Sequence, residues 1–197
     1  MNTRSSPTVA QPAARERILH TAHDLFYRDG IRATGIDSII REAGVTKVTF
    51  YRHYPSKDAL ILAFLQYRHQ RWISWFSQAL REHSDTGMPL PAALAATLQA
   101  WFEREDFRGC AFINSSLEYG DALPEVLKLS VAHKKEMAEV IADYFKAFSD
   151  KNQTAESVAL LIDGAIIKAQ MENEATQATQ LVQKMLTLLL SARMTNY

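Results

Sequence analysis

The chemistry most legible in this chain is hydrogen-bond donation toward an anion. Between Thr46 and Tyr54 the sequence reads Thr-Lys-Val-Thr-Phe-Tyr-Arg-His-Tyr; Lys47, Thr49, Tyr51, Arg52 and His53 carry side-chain donors, and no residue in the run is acidic. Donors without carboxylates suit the base edges and phosphate oxygens of a nucleic acid. Thr46 is placed to cap the helix that carries them. Lys57 stands where a further helix opens, and exposed amides there also favour a phosphate. Each assignment has a plainer counterpart. Lys47 can be a solvated lysine, Thr49 a helix filler, and His53 a helix-end cap as readily as a phosphate donor. Tyr54 reads as a core aromatic. Tyr51 reads as a half-packed ring with its hydroxyl toward a phosphate.

The elements before and after this run are those that could position it. Ile18, Ala22, Leu25 and Phe26 recur at helical spacing, and Asp29-Gly30 stops that helix. Ile36, Ile39, Ile40 and Ala43 mark a second, short helix, with Thr34 and Asp37 spaced like a capping box. Ala43-Gly44-Val45 then allows a tight turn into the helix that begins at Thr46. Two short helices crossing steeply at a glycine turn make a helix-turn-helix, whose second helix enters the major groove of DNA. Pro55 ends the unit, and Ser56 can cap a long helix over 57–82.

At this point the sequence resembles the tetracycline-repressor (TetR) family of bacterial regulators. The likeness lies in Ile18-Leu19, Ala22, Leu25-Phe26, Gly30, Ile36, Ile39, Ala43-Gly44-Val45, Thr49, Tyr51, His53-Tyr54, Ser56-Lys57 and Leu60. The weaker likeness farther on is Arg108 to Asn114. The resemblance implies an all-helical homodimer. Three N-terminal helices would hold DNA, and a larger C-terminal domain would hold a ligand pocket and the dimer interface. Family members often carry a phosphate-touching hydroxyl where this chain has Gly35; Thr34 or the Gly35 amide would have to stand in.

Beyond residue 82 the periodicity predicts five more helices, over 90–106, 110–119, 124–148, 154–173 and 175–194. The helix over 57–82 is apolar over a wider arc than a surface helix needs, so it can line a cavity as well as a core. The pocket candidates are Phe64, Trp72, Trp75, Phe76, Trp101, Phe107, Cys110, Asn114, Tyr119, His133 and Met137. Asn114, Tyr119 and His133 are polar among apolar neighbours, where they would orient a ligand. Few of these candidates are charged, which points to an apolar, aromatic or amphipathic effector. The last two helices are apolar nearly all round, so a second subunit is expected against Leu160, Gly164, Ile167, Met185, Leu188 and Leu189.

Composition bounds these readings. The chain has 197 residues, 47% hydrophobic, with 22 basic and 22 acidic side chains. Nine of those basic and six of the acidic residues fall in 1–60, leaving thirteen against sixteen beyond, so the N-terminal part is the basic one. The one cysteine, Cys110, fits a small buried hydrophobe in a reducing compartment. His20 and His23 lack converging partners for a metal, and no nucleophile, acid and base assemble. The expectation is therefore an all-α, cytoplasmic regulator that is not an enzyme. It would use no cofactor or metal and would not span a membrane. Residues 1–12 would form a flexible tail, 13–56 the DNA-binding domain, and 57–197 the ligand-binding and dimerisation domain. Its function would be repression from a pseudo-palindromic double-stranded DNA operator, relieved by a small molecule. An all-helical enzyme or a protein-interaction adaptor using the C-terminal cavity is the alternative.

Overall fold

A computed structural model describes residues 13–194; the expected tail over 1–12 lies outside them. Among the described residues there is no strand, and the elements are α1 (Ala14–Asp29), α2 (Ile36–Glu42), α3 (Lys47–His53), α4 (Lys57–Asp85), α5 (Leu90–Phe102), α6 (Ala111–Tyr119), α7 (Pro124–Ala142), α8 (Lys151–Glu172) and α9 (Ala175–Met194). The fold is all-α, as its periodicity predicts. The chain divides into two compact units, the first ending at Phe64 and the second starting at Leu65.

The first unit packs α1, α2, α3 and the opening turns of α4 on a core of Ile18, Ala22, Leu25, Phe26, Ile31, Ile39, Phe50, Tyr54, Leu60, Ile61 and Phe64, all buried. The Phe64 ring meets Phe26 at 5.5 Å and His23 at 5.8 Å, so this phenylalanine closes the N-terminal core. The turn between α2 and α3 has its own logic. Gly44 sits at φ 61°, the left-handed region that glycine enters without a Cβ penalty. The Val45 amide then donates to the Ile40 carbonyl at 3.2 Å and the Gly44 amide to Arg41 at 3.3 Å. That pair of bonds is the Schellman closure, which ends α2 and redirects the chain. Seven residues are too few for a helix to persist alone. Here α3 is held by the Thr46 cap and by the buried Phe50, whose side chain contributes about 1.5–3 kcal/mol.

The capping box expected at the start of α2 does not form. Gly35 is the N-cap residue, with extended backbone and no side-chain cap. The Thr34 hydroxyl instead donates back to the Gly30 carbonyl at 2.7 Å.

In the second unit α5 packs on α9, α6 on α7, α7 on α8, and α8 on α9. Four helix ends differ by three residues or more from their sequence-based placement, the first being that of α4, which runs on to Asp85. α5 stops at Phe102, where the Glu-Arg-Glu-Asp run begins and Arg104 closes on Asp106 instead of on a helical turn. α7 stops at Ala142, and Asp143–Phe145 tighten into a 3-10 turn that buries Phe145. α8 starts at Lys151, because Asp150 accepts the Thr154 amide and opens the helix early. Asn173, left-handed at φ 52°, ends α8 and leads into α9. No described helix is long and apolar enough to cross a membrane.

Candidate functional site

The exposed face of α3 is built from its cap outward. The Thr46 hydroxyl accepts the Thr49 amide at 3.2 Å, and the two threonine hydroxyls lie 2.9 Å apart. The helix then sorts its side chains by period. Phe50 and Tyr54 are buried, while Thr46, Lys47, Val48, Tyr51 and Arg52 are exposed and Thr49 and His53 half-buried. The result is an outward surface of donors with no carboxylate on the helix itself. The Tyr51 ring leans edge-on against Phe50 at 5.2 Å, half packed as its spacing suggested. Tyr54 is a core residue. Its hydroxyl donates to the Arg15 carbonyl at 3.4 Å, and burial raises its ionisation above the usual phenol range.

Three other expected DNA contacts separate. Thr34 is buried with its hydroxyl on Gly30, and the Lys57 ammonium donates to the Ile31 carbonyl at 2.6 Å while lying 5.9 Å from the Phe26 ring centre. Both side chains hold the fold together. Gly35 remains at the surface, with nothing within 4 Å of where a Cβ would stand. The sequence reading missed Val48, which is 70% exposed. Its spacing could have revealed it: Lys47 and Tyr51, like Val48 and Arg52, are one turn apart on the outward face. An exposed valine among donors is suited to a thymine methyl.

The second site is an aromatic cluster within the C-terminal unit. Trp72 stacks on Phe76 at 4.8 Å and meets Trp101 edge-on at 5.2 Å; Trp101 in turn meets Phe107 at 5.4 Å. On its other side Trp72 meets His133 at 5.1 Å, and His133 lies flat on Phe112 at 3.8 Å. Beside this cluster a half-open hollow of about 120 Å³ is lined by Arg68, Arg71, Trp72, Trp75, Trp101 and Arg104. A smaller chamber, of about 10 Å³, shares Arg68, Trp72 and Trp101 and adds Cys110 and His133. His133 is buried and its pKa is pushed down to about 2, first by desolvation and then by the positive potential of Lys134, His69 and Arg68. It is a neutral imidazole whose Nδ1 lies 3.2 Å from that of His69.

Of the pocket candidates, Trp72, Trp75, Phe76, Trp101, Phe107, Cys110 and His133 come together here. Four do not. Phe64 belongs to the N-terminal core, and Met137 is wholly buried in α7 away from either hollow's lining. The Asn114 amide donates to the Arg108 carbonyl at 2.9 Å, and Tyr119 lies at the far end of α6. The expectation of few charges is also corrected, since three guanidinium groups line the larger hollow. Arg68, Arg71, Trp72 and Trp75 recur at i, i+3, i+4 and i+7, a spacing that places them on one face of α4.

The expected interface residues lie along α8 and α9. Leu160 is 75% exposed, Ile167, Met185 and Leu188 are exposed too, and Gly164 leaves open space. Leu189 is half-buried, and Met171 and Leu181 extend the apolar exposure.

Comparison with known proteins places both units. The model of "Bacterial regulatory proteins, tetR family" matches residues 18–64. A TetR-family transcriptional regulator of Streptomyces coelicolor, solved by crystallography, is 30% identical with a TM-score of 0.76, covering 91% of this chain and 95% of that one. The HTH-type transcriptional activator FasR of Mycolicibacterium smegmatis is 39% identical over 82 residues, 42% of this chain and only 37% of that relative's length. The HTH-type transcriptional regulator UidR of Escherichia coli is 24% identical over 181 residues, 87% of this chain and 89% of its own. These relatives are regulators and not enzymes. A helix-turn-helix with an outward donor face, on a helical body shared end to end with such a regulator, fixes the family: this chain belongs to the TetR family of bacterial transcriptional regulators.

Proposed function

We propose that the protein is a homodimeric repressor in the cytoplasm that binds a pseudo-palindromic operator through α3 and leaves it when a small molecule enters the C-terminal unit. The observation that carries the DNA reading is the outward face of α3, with Lys47, Tyr51 and Arg52 exposed around a glycine turn. Thr46, Thr49 and His53, beside that face on α3 or at its cap, are assigned to phosphates, and so is the exposed Gly35 backbone at the start of α2. The dimer reading rests on the exposed stripe of α8 and α9. Leu160, Ile167 and Met171 on one helix, and Leu181, Met185 and Leu188 on the other, recur at helical spacing. Apolar residues left exposed in such number on two packed helices suit an interaction site, and a two-fold pairing would bury the same stripe from both copies.

The effector reading rests on the Trp-lined hollow. Its floor is α4, and α4 is one continuous helix whose first residue follows the helix-turn-helix by four residues, from His53 to Lys57. A ligand seated on α4 would shift the spacing of two recognition helices in a dimer. DNA and effector would then select different conformations and weaken one another by the same factor, about 5–150-fold for a coupling of ~1–3 kcal/mol.

Footprinting on the promoter beside the protein's own gene tests the reading. Two protected half-sites, about 34–36 Å apart or a multiple of that, are expected, with affinity falling steeply as salt rises. Protection of one asymmetric half-site by a monomer would refute it. A promoter fusion separates repression from the activation for which the Mycolicibacterium smegmatis relative is named.

A further inference from the structure

We infer that the hollow over α4 is a site for an organic anion bearing an aromatic ring, such as an aryl carboxylate; the inference rests on reading the C-terminal unit as the effector domain and names the effector's chemistry. The lining is half indole and half guanidinium: Trp72, Trp75 and Trp101 with Arg68, Arg71 and Arg104. Three indoles alone would suit a cation as well as an apolar ring. No lining residue is acidic; Asp106 offsets one positive charge by pairing with Arg104, and the excess left by three guanidinium groups disfavours a cation and favours a carboxylate, which arginine can hold in bidentate fashion.

The charges are already positioned. Asp106 holds the Nε and Nη2 edge of Arg104 at 2.8 and 3.0 Å, and that pairing lowers the Asp106 carboxyl below the usual carboxylate range. Arg71 donates to the Tyr67 hydroxyl at 2.6 Å and lies 5.3 Å from that ring's centre. Guanidinium groups fixed by neighbours lose less freedom when a ligand arrives.

An independent observation points the same way. Trp72 is 7% exposed, and among the described residues its indole N–H is a buried donor with no hydrogen-bond partner. Buried donors are normally satisfied. Trp72 lines both the hollow and the smaller chamber, so a ligand oxygen that reached its Nε1 would supply the acceptor this N–H lacks. Size agrees as well. The hollow's volume of about 120 Å³ is near that of a cavity which admits one benzene ring. A single ring would stack among the indoles, with its carboxylate toward the three arginines.

The test is calorimetric titration of the full-length protein with benzoate and 2-naphthoate, with their neutral alcohols benzyl alcohol and 2-naphthalenemethanol, and with benzylammonium. The anions should bind about tenfold or more tightly than the alcohols, and the cation should not bind. Arg68→Gln should abolish the anion preference. Arg71→Gln, at an exposed position, should reduce it and serves if the first variant fails to fold. Trp72→Phe should weaken anion and alcohol alike. Equal or tighter binding of the alcohols, an anion preference untouched by both arginine variants, or no binding of any anion would each overturn the assignment. Operator affinity measured beside the titration keeps the two readings apart. Anions that bind at the arginines but leave operator affinity unchanged would sink the induction model alone. Neutral compounds that release DNA while anions do not bind would sink the anion assignment alone.

Discussion

The two units place their polar and apolar groups in opposite ways. The first closes an apolar core around Ile18, Phe26, Ile39, Phe50 and Phe64 and turns its donors outward along α3. The second leaves Leu160, Met171, Met185 and Leu188 on its surface and gathers three arginines around an inner hollow. A closed core with a donor surface is finished as one copy and presents itself to a polyanion. A body with an exposed apolar stripe leaves that surface to be covered, and on the proposed reading its complement is the same stripe on another copy. The proposed division of labour, with DNA reading on one side and assembly and ligand sensing on the other, would follow from that contrast.

The sharpest way to break the contrast is to charge the stripe. Because Leu188 is 55% and Leu160 75% exposed, glutamate at either site stays in water in a single copy and should leave the chain folded. In a dimer it would be forced into an apolar seam at a cost of several kcal/mol. Leu188→Glu should therefore give a folded monomer by ultracentrifugation. Loss of bivalency should lower operator affinity by roughly a hundredfold or more, although the mutation lies on α9. A dimer that binds operator normally would show that the stripe is not the seam.

Next in size are the outward donors of α3. Lys47→Ala should cost about 1–3 kcal/mol of operator binding if it reads a base and relax specificity at that position. Arg52→Ala, if it holds a phosphate, should weaken all sequences alike and reduce the salt slope by about one. Neither change should alter the thermal unfolding of the free protein, since both side chains are exposed. A large stability loss would mean that the α3 surface is part of the core after all.

Inside the second unit, His133 offers a pH test. Its pKa is about 2 in the folded protein and close to 6.5 when unfolded. Below pH 6.5 the unfolded chain takes up a proton that the folded chain refuses. Stability from this group is therefore full above 6.5 and is lost as pH falls from there toward 2. The slope is at most about 1.4 kcal/mol per pH unit. Groups facing it are His69, itself 3.1 Å from Glu136, and the cations Lys134 and Arg68. His133→Gln should flatten the dependence between pH 6.5 and 5. Parallel curves for the two proteins would show that the imidazole is not the group responsible.

The first unit was far more legible in the sequence than the second, for physical reasons. In α3 the outcome depends on local rules. Thr46 as cap, Gly44 as turn and Phe50 facing inward are decided within a few residues. Thr34 and Lys57 escaped because their partners, the carbonyls of Gly30 and Ile31, depend on how the chain folds back from α1. The pocket depended on residues distant in sequence. Trp72, Trp101 and His133 lie on three different helices, and no periodicity states which of several apolar faces will meet. Apolar residues were easy to nominate because aromatics stand out. The arginines were overlooked because a charged residue on an amphipathic helix is ordinarily its solvated side. Arg68 and Arg71 were in register with Trp72 and Trp75 all along.

The smallest expected effect isolates the turn on which the first unit's reading depends. Gly44 holds φ 61° with nothing within 4 Å of a Cβ position, so a side chain there meets no steric obstacle and only the backbone conformation is charged for it. Left-handed backbone costs an L-residue about 1–2 kcal/mol, less for asparagine, whose short polar side chain tolerates it. Gly44→Ala should therefore destabilise the helix-turn-helix by about that amount, and Gly44→Asn by less. The chain supplies its own control, since Trp72, Trp75 and Trp101 all lie beyond Leu65. Tryptophan fluorescence reports the second unit, whereas circular dichroism reports helix in both. In urea, Gly44→Ala should bring forward the part of the dichroism transition that the tryptophans do not follow, and leave the fluorescence midpoint in place. A fluorescence midpoint that moves with it would mean that the two units unfold as one, and the contrast between them would then describe surfaces rather than separable domains.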